Sequence, residues 1–501
     1  MNTILNKRFA AVFTAAVIGV VMWSHAGPLT PPPGPITSTG RFSPRIEIDA
    51  LPFFITTPGS YYLAADLTAP GAGAGIFILG AAENVTIDLD GNALIGVPGA
   101  TDAITAAGPG MPKNVTIKNG FIRNWDGDGI KLSSHHAHVF NMTVKGCDGI
   151  GINVGPGSIV RNSTVEGSGG AGIQTAANCN LTNCVSSGNG TQGVLLGDSC
   201  HISDCIASFN GTDGFHIGDG LGPLFMGCVL IGSTAADNGG SGFAMGDGNR
   251  LTDCTALRNG VYGFMLGDEA NDLGGCVAFS NGDTGFWGDS GFLNNAAHHC
   301  TASFNGFGAG AGDGFLNIQR INDCSAIDNA GNGIVITTGT CINSVANENA
   351  TSMLSAGIGS GIVAVDSTVI HCEAFGNADD GISAMSSIIK ACTVNGNADD
   401  GIEASDSCHI LQNNCIGNLD NGIEASGFGN TIERNHCVAN GLAAIDTITF
   451  APGLPNVVLG NRETGNPIGY DLDFGANTFG EIFFGPGPIP FGTGPHPNIT
   501  Y

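Results

Sequence analysis

Charge is scarce in this sequence, and positive charge is scarcest. Charged residues make up 12% of the chain, with 16 Lys+Arg against 43 Asp+Glu. The formal net charge of −27 repels nucleic acid and anionic membranes. It also repels polyanionic glycans unless a cation bridges them. Helical periodicity is missing: no segment of any length repeats apolar residues at three-to-four spacing. No apolar run reaches the length of a comfortable membrane span. No C-x-x-C pair occurs, which argues against a tetrahedral zinc site. The 81 Gly follow no triplet period, so a collagen-like helix is excluded.

The N-terminus reads as an export signal. Lys7 and Arg8 form a basic start, residues 9–23 an apolar stretch, and Ser24-His25-Ala26 a small–x–small cleavage site. Residues 1–26 are expected to be removed, leaving a secreted or periplasmic protein more acidic still. Residues 27–44 are a stiff Pro-rich leader.

What the chain does have is a repeat. From residue 84 to 463 it recurs every 20–26 residues, as in CIASFNGTDGFHIGD, CTALRNGVYGFMLGD and CTVNGNADDGIEASD. The pattern is C-x-A-x-x-N, a short variable turn, then G-[IF]-x-[ILVMA]. Cys and Ala, two apart, point to one face of a strand. Asn suits the bend that follows, and Gly is expected to permit a tight turn. Each repeat holds two or three strands of four to five residues, which indicates a β-solenoid. About 17 coils at ~4.8 Å each give a rod of roughly 80 Å. Asn210, Asn259, Asn281, Asn305, Asn329, Asn377 and Asn397 would stack as an asparagine ladder. Residues 45–83 and 464–501 are read as caps for the two ends.

These coils resemble the right-handed parallel β-helix repeats of the pectate-lyase-like superfamily, including its NosD-like carbohydrate-binding and sugar-hydrolysis type. The resemblance covers roughly residues 45–475. It implies an all-β single-stranded solenoid that binds or processes polysaccharide, as lyase, hydrolase or epimerase. The superfamily also holds adhesins and other proteins without activity, so a structural surface or matrix protein is the alternative. A periplasmic NosD-like accessory protein is a weaker one.

Sixteen Cys in an exported chain would ordinarily suggest disulfides. Their placement argues for stacking instead. Cys184, Cys205, Cys254, Cys276, Cys300, Cys324, Cys372 and Cys392 share one column. Cys179, Cys200, Cys228 and Cys408 share a second, and Cys415 and Cys437 take the Ala position. Inward-facing thiols of this kind act as small apolar residues.

The main candidate for chemistry is acidic. ADDGISA, ADDGIEA and LDNGIEA align without gaps, which columns Asp379 with Asp399 and Asp420, Asp380 with Asp400, and Glu403 with Glu424. Packed carboxylates repel, so either one keeps a proton or a cation binds. A retained proton makes Asp379, Asp380, Asp399, Asp400, Glu403 and Glu424 candidates for general acid–base work. A cation makes Asp379, Asp399, Asp400 and Asp420 a candidate Ca²⁺ site. A solvated turn whose Asp-Gly pairs merely suit the bend accounts for the same residues.

A second candidate lies in the early coils, where Asp126, Asp128, Lys131, His135, His136, His138, Lys145 and Asp148 fall close together. Basic side chains beside carboxylates suit proton abstraction from a uronate. Lys131, His216, Glu403 and Glu424 occupy equivalent outward positions that would line a sugar groove. Trp125, Tyr262, Phe279, Trp287, Phe304 and Phe307 are candidates for stacking on sugars, whereas Phe215, Phe243, Phe264, Phe286 and Phe315 read as core. The superfamily's catalytic signatures fit poorly. Polygalacturonase-type G-H-G and R-I-K are missing, and the epimerase motif Y-G-F-D-P-H-D survives only as Tyr262-Gly263-Phe264.

Overall fold

One repeat shows how the chain folds. Ile402–Ser405 forms a front strand, His409–Leu411 a side strand and Asn414–Ile416 a back strand. In the computed structural model each strand pairs in parallel with its counterpart one coil on. Ile402 meets Ile423, His409 meets Thr431 and Asn414 meets His436. About 18 turns stack this way into a right-handed parallel β-helix. Described residues are 45–480, 482–484 and 498–500, without 81, 108–111, 134–135, 219–226, 268, 290–293, 307–311, 352–358, 449–453 and 474–476. Among them no helix is long and apolar enough to cross a membrane.

The coils extend beyond the expected repeat at both ends. Ile46–Ile48 already pairs with Gly59–Leu63, and Phe53–Ile55 with Ile76–Leu79. Past residue 463, Ile468–Leu472 adds a further front strand on Ala443–Ile448. The export signal and most of the leader lie outside the described residues.

Three bends close this coil, and all three follow one rule. A residue in the left-handed region turns the chain, as Ser407, Gln412 and Gly417 do with φ of 61°, 58° and 62°. The next residue, Cys408, Asn413 or Asn418, then points inward. Its backbone N–H is buried with no strand partner, and the side chain one coil on accepts it. At the bend before the front strand that side chain is Asn. Asn397 N donates to Asn418 Oδ1 at 3.1 Å and Asn397 Nδ2 donates to the same oxygen at 2.9 Å. The chain of amides runs unbroken from Asn189 to Asn466. It includes all seven expected members and adds Asn189, Asn238, Asn349, Asn418, Asn440 and Asn466.

The two long thiol columns sit at the other two bends and take the same role, whereas Cys415 and Cys437 pair within the back strands. All are free and buried. Cys179 N donates to Cys200 Sγ at 3.4 Å, Cys205 N to Ser233 Oγ at 3.3 Å and Cys392 N to Asn413 Oδ1 at 2.9 Å. Cys, Ser and Asn therefore interchange as acceptors, a more specific role than small apolar filler. Burial raises the thiol of Cys147 to about 11 and that of Cys408 in the same direction. The Gly before each front strand also has a reason other than turning. A Cβ on Gly401 would lie 2.6 Å from Asn418 Nδ2 and 2.5 Å from Gly422 O, so that Gly makes room for the ladder.

Inside the front strands Phe215, Phe243, Phe264, Phe286 and Phe315 stack at 4.7–5.0 Å with nearly parallel rings, as core. Trp125 corrects an expectation. It is buried, with its Nε1 donating to Leu94 O at 3.3 Å, so it presents no ring to a sugar.

Two outcomes follow. Thiol labelling of the native protein should modify essentially none of the 16 Cys, and labelling in denaturant without reductant all of them. Native labelling, or fewer thiols on unfolding, would refute the free, buried columns. Asn281→Ala removes the acceptor for Asn259 N and the donor to Ala256 O. Two orphaned groups should cost about 3 kcal/mol in urea unfolding. Asn141→Ala, in an exposed amide row, should cost less, about 1 kcal/mol, mostly from placing Ala at the φ of 52° that Asn141 adopts.

Candidate functional site: a carboxylate ladder on the front sheet

A second acceptor column runs beside the asparagine ladder, one residue before the front Gly. Asp128 N donates to Asp102 Oδ1 at 2.9 Å, and Asp128 Oδ1 in turn accepts Ile150 N at 2.8 Å. Ser241 N donates to Asp213 Oδ1 at 2.9 Å and Asn332 N to Asp313 Oδ1 at 2.7 Å. Asp400 N donates to Asp380 Oδ1 at 3.2 Å, and Asn421 N to Asp400 Oδ1 at 2.8 Å. Asn421 continues the column, accepting Ala443 N at 3.0 Å. Asp380 and Asp400 are thus buried members of the fold as well as candidate site residues.

The residue three positions on decides the electrostatics. In two early coils it is a basic side chain: Lys131 Nζ lies 3.3 Å from Asp128 and 3.8 Å from Asp102, and His216 Nδ1 lies 3.0 Å from Asp213. After Asp380 it is Ser383, and after Asp400 it is Glu403. Register places Ser383, Glu403, Glu424, Asp446 and Asp471 on successive rungs of the front sheet. The column that held a counter-cation therefore becomes a ladder of carboxylates, one per ~4.8 Å. Among the described residues no cation pairs with any of them.

Two hydrogen bonds organise the cluster: Ser383 Oγ donates to Glu403 Oε2 at 3.0 Å, and Asn421 Nδ2 to Glu424 Oε2 at 3.2 Å. Asp379, Asp399 and Asp420 stack alongside through their backbones, with Asp399 N donating to Asp379 O at 3.4 Å and Asp420 N to Asp399 O at 3.2 Å. Asp379, Asp380 and Asp399 can each bring one oxygen within 4.8 Å of the others, as can Asp399, Asp400 and Asp420. Asp399 belongs to both triads, so three coils offer two adjoining oxygen-rich cation positions. Burial, then Glu403, pushes Asp380 up to about 9. Burial raises Asp400 to about 8, helped by Glu424 and opposed by the Asn421 N–H. Asp379, Asp399, Glu424 and Asp446 move the same way, by burial first and then by neighbouring carboxylates.

The early-coil residues are not gathered into one cluster. Asp128 and Lys131 meet on the front sheet. Asp126 is held apart, accepting Gly99 N at 2.6 Å, and with Asp148 it lines a hollow of about 290 Å³ over Trp125. Lys145 pairs with Glu166 at 3.0 Å on the back strands. His138 lies on a side strand, lowered in pKa by burial and then by His136 and Arg161, and His136 occupies the bend before it with φ of 60°. His135 and Phe307 are outside the described residues.

Two features escaped the sequence reading. Asp446 and Asp471 extend the ladder. Asp446 was legible, since it follows the corner Asn440 by six positions as Glu424 follows Asn418, but its segment has lost the G-I-E-A pattern. A side-sheet hollow of about 550 Å³ lies over Ala296 and Ala297, where His298 Nε2 meets Asp272 Oδ1 at 3.1 Å beside Arg320 and His299. Its only sequence signal is the paired His before Cys300.

The profile of the right-handed β-helix region family matches residues 66–201 and 174–350, and the chain belongs to that family. No curated protein sequence matches the chain. Among solved structures it is similar to a double mutant of the periplasmic alginate epimerase AlgG, with 10% identity over 84% of this chain and 77% of that one at a TM-score of 0.25. It is also similar to the A-module of the Azotobacter vinelandii mannuronan C-5 epimerase AlgE6, with 13% identity, 84% and 89% coverage and a TM-score of 0.21. A GH87 α-1,3-glucanase catalytic domain in complex with tetrasaccharides shares 11% identity over 88% and 63%, at a TM-score of 0.25.

The raised carboxyls make stability depend on pH. In the unfolded chain Asp380 and Asp400 titrate near pH 4; folded, they hold their protons to about 9 and about 8. The folded state binds the extra protons between those limits. Its stability is complete below pH 4 and falls as pH rises through that window. Asp380→Asn and Asp400→Asn keep the acceptor oxygen, as Asn421 does naturally. The double variant should be more stable than wild type at pH 8 and converge with it near pH 4. Parallel pH–stability curves would contradict the assignment.

Proposed function

We propose that this chain is an exported β-helix protein that binds a polysaccharide along its front sheet and acts on it with the paired carboxyl groups of the late coils. The change of side chain at one position carries the reading: Lys131 pairs with the acceptor column and His216 hydrogen-bonds to it in the early coils, and Glu403 confronts it in the late ones. A fold has no need to pile carboxylates against buried Asp residues that Asn421 can replace. The arrangement supplies two states of one functional group side by side. Asp400, buried, retains a proton at neutral pH and can deliver it to a glycosidic oxygen as the C–O bond breaks. Glu403 and Glu424, half-buried and facing outward, are placed to take a proton from the attacking water or to stabilise the developing positive charge.

A second reading rests on the two oxygen triads, which suit a divalent cation such as Ca²⁺. There the cluster is a clamp that strengthens a non-catalytic binding rod. One experiment separates them. Purified protein is incubated with a polysaccharide panel, with Ca²⁺ and with chelator, and new reducing ends and unsaturated uronate absorbance are measured. Hydrolysis that falls at least ~100-fold in Asp400→Asn and in Glu403→Gln supports the catalytic reading. Absence of product, together with a Ca²⁺-dependent rise in Tm that Asp399→Asn abolishes, supports the clamp and overturns catalysis. Absence of both sinks the site.

A further inference from the structure

The rungs leading to the carboxylate ladder are apolar. On the same outward column, Met265, Trp287, Leu316, Val335 and Val363 succeed one another in register and end at Ser383 and Glu403. All are part-exposed, and Met265 is 36% exposed. Tyr262, from the bend below, stacks on Trp287 with centroids 5.1 Å apart and rings 10° from parallel. Few large rings are spent in this chain: it has 3 Trp and 5 Tyr. Trp125 is buried, and two half-exposed rings are stacked here.

Charge selects the occupant. From Lys131 onward the column holds no Lys or Arg, and His216 is committed to Asp213. A polyanion laid on this track would find no counter-charge, and it would run into Glu403, Glu424, Asp446 and Asp471. We infer that the stripe from Met265 to Val363 is the binding track for a neutral glycan chain lying along the rod, with its downstream end delivered to Glu403. The inference rests on the carbohydrate reading above and adds the substrate class and its minimum length. A neutral sugar offers apolar C–H surface to the stripe and hydroxyls to the carboxylates, and needs no cation for either contact. Trp287 and Glu403 are five rungs apart, ~24 Å at ~4.8 Å per coil. A chain of about six sugar units, at roughly one unit per rung, is the shortest that touches both.

The test is affinity electrophoresis of the full chain in gels containing neutral polymers (β-glucan, α-glucan, xylan, mannan) or polyanions (polygalacturonate, alginate), with light scattering in parallel. Retardation by a neutral polymer is expected. Trp287→Ala should weaken it at least ~10-fold with an unchanged melting transition. If Trp287→Ala fails to fold, Val363→Ser on the same stripe serves instead and should also weaken binding. Oligosaccharides of the bound polymer should compete well only from about six units upward. Retardation by polyanions alone would overturn this inference while leaving the carbohydrate reading intact. Retardation by neither class would overturn both. A dimer that Trp287→Ala dissociates would make the stripe a contact between copies of this chain and overturn the inference as well.

Discussion

Every turn of this molecule is governed by one requirement, a hydrogen-bond acceptor for the N–H buried at each bend. Strand N–H groups find carbonyls in the next coil. The bend residues cannot, because the left-handed residue before them breaks the ladder. The side chain one coil on supplies the missing oxygen or sulfur: Asn418 for Asn397, Asn413 for Cys392, Ser233 for Cys205. An acceptor left out strands a buried polar group, at a cost of about 1–3 kcal/mol. That requirement explains why the repeat tolerates variation on its outward positions and so little at its corners. It also explains why Gly precedes the front strand, where the ladder amide leaves no space for a Cβ.

The same requirement recruits Asp into the fold. An acceptor column next to the front Gly can be filled by Asp or Asn, and the chain uses both between Asp313 and Asn421. Asp brings a second oxygen and a charge that the acceptor role does not use. In the early coils that surplus is met locally, by the Lys131 ammonium and by a hydrogen bond from His216. In the late coils it meets Glu403, and the pair can be satisfied only by a proton or by a cation from outside. A structural device thus becomes a chemical one through the identity of a single outward neighbour.

That division also sorts what the sequence made legible. The corner Asn and Cys recur with their flanking strands at a near-constant period, so the columns could be aligned by eye. The equivalence of Lys131, His216, Glu403 and Glu424 then followed and holds in the structure. Residues whose role depends on which neighbour lies across the coil were harder to read. Trp125 sits in a turn segment but is drawn beneath it to meet Leu94 O. Asp446 follows a coil that has lost its Gly. His298 reaches Asp272 from the adjacent coil, across a spacing of 26 residues that no local motif announces. The early-coil cluster failed to assemble for the converse reason. Neighbours in sequence there lie on different strands, so Lys145 points to Glu166 and Asp126 to Gly99.

A solenoid can carry a strained segment of this kind more safely than a globular core can. Its stability is close to a sum of coil and nearest-neighbour terms, so a local electrostatic cost stays with the coils that bear it. The asparagine ladder is intact behind the carboxylates. Asn377, Asn397, Asn418 and Asn440 stack without a break, and Ile382, Ile402 and Ile423 fill the interior on the other face of the same strands. The inward face of each strand secures the coil while the outward face at Glu403 and Glu424 is free to oppose it. Alternation along a strand of four residues keeps the two apart, because successive side chains point to opposite faces. The fold can therefore hold carboxyl groups with displaced pKa in a fixed row.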